Sequence, residues 1–243
     1  MKLPIRIERG NAKALLGFGL QEAGRFVWDR LRGAPPRVEQ ALAFARENAR
    51  PGDPDSVLAA LDRFARERSF LMNVGDKKGE ILDAEVRQQR PLRALEIGAF
   101  VGYSAVRIAR LLREWNGRLI SVEASGRNAA VARAMVELAG LAELVEVRHA
   151  KAEDAIPTLG APFDLVFLDH WKDLYLPDLR RLEEHALLRP GSVVVADNVG
   201  LFDSSAYLAH VRDSGRYASR NVPSTVEYKD SLPDAVEISV FRG

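Results

Sequence analysis

From residue 93 onward the apolar residues of this chain fall into two alternating rhythms. Short continuous apolar runs at 93–97, 118–122, 144–148, 165–168 and 192–196 read as strands buried on both faces. Between them, apolar positions at helical spacing predict helices over 103–113, 126–139, 153–159, 175–186 and 204–213. Two last strand-like runs, 217–222 continuing to 227–228 and 236–241, flank a turn at Ser231-Leu-Pro-Asp234, which predicts a closing antiparallel hairpin. Such alternation marks an α/β fold: a doubly wound, mostly parallel sheet with helices on both faces. Upstream the pattern is helical. Helices are expected over 12–32, 38–49, 55–68 with Asp53 or Asp55 as its cap, and 77–89, stopped by Pro91. The apolar, glycine-bearing segment 70–79 has no clear period and is expected to form a lid or pocket wall.

Charge divides the chain. The first 37 residues hold eight basic side chains against three acidic ones, and Gly33-Ala-Pro-Pro36 reads as a hinge. A basic helical extension, 1–37, is therefore expected ahead of a main domain, 38–243. Leu16, Leu20, Ala23, Val27 and Leu31 make 12–32 amphipathic. Packing on its own domain or on a second subunit is expected of it, with contact at a membrane surface as the alternative. The whole chain of 243 residues carries a net charge of only +1, which does not point to nucleic acid. It has no cysteine, so disulfides, thiolate metal sites and cysteine nucleophiles are excluded. No apolar run approaches the roughly 20 residues of a membrane-spanning helix, and the short run 14–20 lacks a signal-peptide cleavage site. A cytoplasmic protein, monomer or homodimer, is expected.

Candidate chemistry sits where strands stop. The run ending at Leu168 meets Asp169, His170, Trp171 and Lys172, and the run ending at Ala196 meets Asp197 and Asn198. In open α/β sheets ligands bind beyond such strand ends. Asp169, Asp197 and Asn198 together offer three hard oxygens suited to magnesium; the plainer alternative is helix capping. At the first strand end, Glu96-Ile-Gly98-Ala-Phe-Val-Gly102-Tyr103-Ser104 brings glycines and a helix N-terminus, fit for an anionic group. The spacing is not the Gly-x-Gly-x-x-Gly of a dinucleotide pyrophosphate site. Glu123, closing the next strand, can accept from both hydroxyls of a ribose. A ribose and a carboxylate without phosphates describe S-adenosylmethionine.

Four strings carry a resemblance: Met72-Asn-Val-Gly-Asp-x-Lys-Gly79; Leu95-Glu-x-Gly-Ala-x-x-Gly-Tyr-Ser-Ala-Val-Arg107; Val166-Phe-Leu-Asp-His-Trp-Lys-Asp173 with Tyr175-Leu-Pro-Asp178; and Ala196-Asp-Asn-Val199. From about residue 38 to 241 the chain resembles the catechol O-methyltransferases, within the class I S-adenosylmethionine-dependent methyltransferases. The resemblance implies a Rossmann-like, seven-stranded fold and magnesium-dependent transfer of a methyl group from S-adenosylmethionine to one hydroxyl of a catechol. It implies a magnesium ion on Asp169, Asp197 and Asn198, Lys172 as general base, and Glu227 as acceptor from the other hydroxyl. By position alone Lys172 reads as a surface lysine and Glu227 as a solvated acid at a strand edge.

The resemblance also implies cofactor contacts from Asn73 and Val74 at the methionine end. It extends them to Glu96, Gly98, Gly102, Tyr103 and Ser104 in the glycine loop, Glu123 on the ribose, Asp169, and His170 with Trp171 around the adenine. The substrate would touch Phe70, Met72, Asp169, Trp171, Lys172, Asn198, Phe202 and Glu227. The chain departs from the family pattern at Phe70, Phe100, Ala124, Ala152, Glu153 and Phe202. Of these, Ala124, Ala152 and Glu153 fall at adenine positions and Phe70 and Phe202 at the substrate mouth. Alternatives are a related metal-dependent methyltransferase acting on another vicinal dihydroxy compound or a modified tRNA base, and a cofactor-binding module without catalysis.

Overall fold

A computed structural model describes residues 32–243 together with Gly17, Gly19 and Gly24. Of the amphipathic helix expected over 12–32, only these three glycines, each helical, and residue 32 are described. From residue 32 onward three helices precede the sheet: α1 (Arg37–Asn48), α2 (Pro54–Glu67) and α3 (Gly75–Gln89). The alternating part follows as β1 (Arg93–Ile97), α4 (Tyr103–Leu112), β2 (Arg118–Glu123), α5 (Gly126–Leu138), β3 (Val145–His149), α6 (Ala152–Ala155), β4 (Leu165–Leu168), α7 (Tyr175–Glu184), β5 (Val193–Ala196) and α8 (Ser205–Asp213). β6 (Tyr217–Val226) and β7 (Lys229–Phe241) close the chain. The cap of α2 is Asp53, which accepts from the Ser56 amide, with Pro54 as the first helical residue. Helix 153–159 is shorter than expected, because Pro157 turns its second half into a 3-10 turn.

The sheet is seven-stranded in the order β3-β2-β1-β4-β5-β7-β6. β1 to β5 pair in parallel, and β7 joins β5 antiparallel. Alternation along a buried strand explains the two-sided core. Leu165 and Phe167 of β4 pack with α1–α4, whereas Val166 and Leu168 pack with α7 and α8. Val193 and Val195 of β5 repeat the first face, and Val194 and Ala196 the second. β1 has β2 on one side and β4 on the other, so chain progress reverses there. The crevice at such a reversal is where these sheets bind ligands.

The closing hairpin differs from expectation. Its turn is Glu227-Tyr228, closed by the Val226–Lys229 pair, with Tyr228 in the left-handed region at φ 57°. Residues 231–234 lie in β7, and a register shift there pairs Thr225 with Pro233. Turn chemistry lost to packing: Leu232 is buried among Phe70, Leu201 and Val226. This part of β7 pairs only with β6, where a proline costs no ladder bond to a second neighbour. Glu227 thereby sits at the buried tip of a hairpin rather than along a solvated edge.

Phe167, fully buried at the middle of β4, tests the two-sided core. Phe167→Ala is expected to cost about 3–5 kcal/mol of unfolding free energy. Denaturant titration measures it, and a loss under about 1 kcal/mol would show the centre of the sheet to be loosely packed.

Candidate active site

Two neighbouring strand ends build the acidic centre. Leu168 of β4 pairs with Ala196 of β5, so Asp169 and Asp197 leave the sheet side by side. The ladder continues one step further: the Asp169 amide donates to Ile97 O at 3.0 Å and the Asp197 amide to Leu168 O at 3.0 Å. Asn198 follows at φ 54° and donates from Nδ2 to Glu227 Oε1 and to Asp234 Oδ2, each at 2.8 Å. With both amide hydrogens so used, the Asn198 side-chain oxygen faces away from these acids. Asp234 Oδ1 accepts from the Gly200 and Leu201 amides, which ties β7 to the loop after β5.

A lysine stands at the middle. Lys78, in the first turn of α3, lies 2.8 Å from Asp197 Oδ1, 2.5 Å from Glu227 Oε1 and 2.8 Å from Asp234 Oδ2. Burial alone would favour its neutral form, but the three carboxylates outweigh it and hold the ammonium well above the usual lysine range. Asp197 is pushed well above the usual carboxylate range, chiefly by burial. Its Oδ2 is buried and has no hydrogen-bond partner among the described residues.

Lys172 forms a second pair. It opens the 3-10 turn after Trp171, with Nζ 3.2 Å from Asp169 Oδ1 and 2.7 Å from the Tyr175 hydroxyl. Tyr175 is itself buried and donates to Leu168 O and Asp197 O, so the base of the turn is anchored to both strand ends. The Lys172 Nζ also lies 5.9 Å from the centre of the Phe202 ring. Four carboxylates thus meet two lysines; with every group ionised the cluster would hold two negative charges in excess, a state that burial opposes at Asp197 and Asp169. One divalent cation balances that excess, and the donors are the hard oxygens such a cation takes. The residues fit magnesium.

The mouth is apolar. Phe70 packs with Leu201, Val226 and Leu232, and Phe202 and Tyr228 lean on the same cluster. Met72 and Trp171 keep 55% and 75% of their surface exposed, large apolar areas that a planar ligand would cover.

The glycine loop stands next to this centre. Gly98 has φ +105°, and a Cβ there would come within 2.4 Å of the Asp169 carbonyl oxygen. No other residue allows the ends of β1 and β4 to meet so closely. Glu123 receives the Phe100 amide on one oxygen and the Ser125 amide on the other, each at 2.8 Å. Each oxygen keeps a second lone pair for a ligand hydroxyl. Gly102 begins α4, whose first turn has no side-chain cap. The Tyr103 side chain turns into the core against Arg107, leaving only its main chain at this helix start. Ser121 donates to the fully buried Glu96, which Ser104 also faces and whose carboxyl burial pushes up to about 7. Buried atoms without a partner among the described residues gather on this side too: Glu96 Oε1, Asn73 Nδ2 and His170 Nδ1. Val74 is buried beside Asn73, and His170 Nε2 pairs with Asp178 at 2.8 Å. Glu153 is exposed and faces Lys151 and Arg181, while Ala124 is exposed and Ala152 half-buried at the loop ends.

A family model for O-methyltransferases matches residues 51–214. The chain belongs to the O-methyltransferase family. It is 41% identical over 239 residues to the catechol O-methyltransferase of Mus musculus, covering 94% of this chain and 89% of that protein. A probable O-methyltransferase of Mycobacterium tuberculosis is 39% identical, over 85% of this chain and 93% of that one. Among solved structures, the O-methyltransferase TomG of Streptomyces achromogenes in complex with SAM is 28% identical with a TM-score of 0.63, over 76% of this chain and 89% of that one.

In this O-methyltransferase Asp169 and Asp197 leave neighbouring strand ends, Asn198 bonds Glu227, and Lys172 pairs with Asp169. Lys78 and Asp234 join them and were missed. The signal for Lys78 was its spacing: it shares the buried face of α3 with Leu82, Glu85 and Val86. No local signal marked Asp234, which follows a proline in a stretch that reads as a turn. Among the described residues no helix is long and apolar enough to cross a membrane.

Glu96 generates a pH test. Its carboxyl is raised from 4.5 to about 7 in the folded chain, so folding takes up a proton across that window. The stability it contributes is present in full below about pH 4.5 and is lost as pH rises to about 7, a drop of the order of 3 kcal/mol. Denaturant unfolding of the cofactor-free protein from pH 4.5 to 8 measures the slope. Glu96→Gln is expected to flatten it; an unchanged slope would place the effect elsewhere.

Proposed function

We propose that this enzyme transfers the methyl group of S-adenosylmethionine to one hydroxyl of a catechol, with magnesium held by Asp169, Asp197 and Asn198. The observation that carries this is the convergence of carboxylates at the ends of β4 and β5, beside a buried Asp197 oxygen that lacks a partner among the described residues. The mouse relative named a catechol O-methyltransferase supports the same substrate class, and the SAM complex of TomG supports the cofactor. When bound, magnesium makes a catechol hydroxyl more acidic and the sulfonium supplies an electrophilic methyl group.

The chain's own groups do the rest. In its neutral amine form Lys172, tethered by Asp169 and the Tyr175 hydroxyl, takes the proton of the hydroxyl to be methylated. Glu227 Oε1 is occupied by Lys78 and Asn198, which leaves Oε2 to accept from the other hydroxyl. Met72, Trp171 and Phe202, backed by Phe70, flank the ring and exclude water. Glu123 takes the ribose hydroxyls. Asn73, Val74, Glu96, Gly98, Ser104 and the main chain of Gly102 and Tyr103 surround the methionine end. His170, Trp171, Ala124, Ala152 and Glu153 lie toward the adenine. Holding oxygen, methyl carbon and sulfur in line is the main source of rate.

The domain proper is taken as 38–243, with 1–37 an extension dispensable for chemistry. Its last residue already belongs to the fold, since Arg37 opens α1 and donates to Phe70 O at 2.9 Å. A monomer or homodimer acting on small molecules in the cytoplasm, and not on nucleic acid, completes the proposal; the net charge of +1 supports the last point.

Labelled methyl transfer to a panel of catechols and to tRNA, with and without magnesium, tests this directly. Catechols are expected to accept the label and chelation to abolish transfer; undiminished turnover in excess chelator would exclude the metal. Lys172→Met is expected to bind S-adenosylmethionine as the wild type does while turnover falls by roughly 10²–10⁴-fold. Loss of cofactor binding in parallel would make Lys172 structural.

A further inference from the structure

Asp197, Glu227 and Asp234 bring carboxylate oxygens within 4.8 Å of one another, a spacing that suits a cation bound by all three. In this chain that triangle holds the Lys78 ammonium, whose three N–H groups meet one oxygen of each acid. All four side chains are out of solvent or nearly so. The remaining Asp197 oxygen, Oδ2, is buried and takes no part in these bonds. Lys78 arrives on the first turn of α3, which presses on the hairpin tip: a Cβ on Gly75 would lie 3.2 Å from the Glu227 Cβ.

We propose that Lys78 is a built-in cation: its ammonium occupies the Asp197–Glu227–Asp234 triangle, keeps the divalent ion out of it, and so leaves the ion to Asp197 Oδ2, Asp169 and Asn198. This rests on the function proposed above and assigns Lys78 a positioning role, exerted through its bonds to Asp197, Glu227 and Asp234. Two consequences follow from the same bonds. Glu227 is pinned through Oε1 by Lys78 and Asn198, so its other oxygen is the one presented to substrate. Asn198 is pinned through Nδ2 by Glu227 and Asp234, so its oxygen is presented to the ion. An ion sunk in the triangle would consume Glu227 and stand deeper than the strand ends.

A purely structural lysine and an ion-excluding one differ in sign. Were Lys78 only a structural brace, Lys78→Met would weaken magnesium binding and turnover together. If it excludes the ion, the added negative charge and the freed triangle make magnesium bind as tightly as in the wild type or tighter, while turnover falls by roughly 10²-fold or more because ion and Glu227 are misplaced. Calorimetric titration of the cofactor-free protein with magnesium alone reads the first quantity, and labelled methyl transfer the second. Thermal unfolding with and without magnesium adds a third: Lys78→Met is expected to be destabilised without the ion and to recover with it. The double variant Lys78→Met/Asp234→Asn keeps the wild-type charge balance. It is expected to fold without magnesium yet to stay at least roughly 10²-fold slow, because Glu227 has lost its anchor.

Parallel loss of magnesium affinity and turnover would overturn the proposal. So would turnover within a few-fold of wild type in either variant, or failure of both variants to fold even in saturating magnesium. Wild-type turnover that ignores magnesium would instead sink the metal-dependent function itself, and that is read on the wild type alone.

Discussion

Like charges confined away from water set the terms for this molecule. Asp197, Glu227 and Asp234 converge on a point where solvent screening is nearly absent, and each would repel the others strongly without a cation among them. Lys78 supplies part of that cation, and the three parts of the chain that deliver the acids are arranged around it. The end of β5 brings Asp197, the tip of the β6–β7 hairpin brings Glu227, and the irregular start of β7 brings Asp234. The hairpin gives up regular pairing there, and the acids it delivers are bonded to Lys78, Asn198 and the amides of Gly200 and Leu201.

The acidic centre and the glycine loop meet through one residue. The main-chain oxygen of Asp169 stands against Gly98, where a side chain would collide with it, while its carboxylate reaches Lys172. On the function proposed here, a cofactor on the glycine loop and a substrate beside Lys172 would share a wall one residue thick. In-line transfer between two ligands asks for this kind of closeness, since orientation in the bound state replaces a bimolecular search. Tyr175 stiffens the wall from behind by bonding the carbonyls of Leu168 and Asp197 with a single buried hydroxyl.

The mouth works on different physics. Trp171 and Met72 stand largely in solvent, whereas Phe70 behind them is buried with the hairpin. Apolar surface left outside is surface that gains when an aromatic ligand covers it, and the gain scales with area rather than with direction. Under the proposed function, orientation of a ring would then come from Lys172, Glu227 and the edges of Phe202.

Much of this was legible in the chain itself. Buried apolar runs ending in Asp169, Asp197 and Asn198 announced a parallel sheet and its ligand-bearing end, because local pattern and sheet geometry share one period. The strings around Gly98 and Asp169 announced the chemistry for the same reason, each function being carried by neighbours in sequence. What the chain could not announce is whatever depends on residues far apart. Pro233 and Asp234 read locally as a turn, and only the burial of Leu232 and the pull of Lys78, 156 residues away, hold them in a strand. Glu227 read as a solvated edge acid until the hairpin turned it inward. Lys78 stood only as one member of the string 72–79, since its three partners come from a strand end, a hairpin tip and the body of β7, which meet only in the folded sheet. Local preference decided the elements; the cost of burying unpaired charge, which exists only once distant segments are packed, decided how they close over the site.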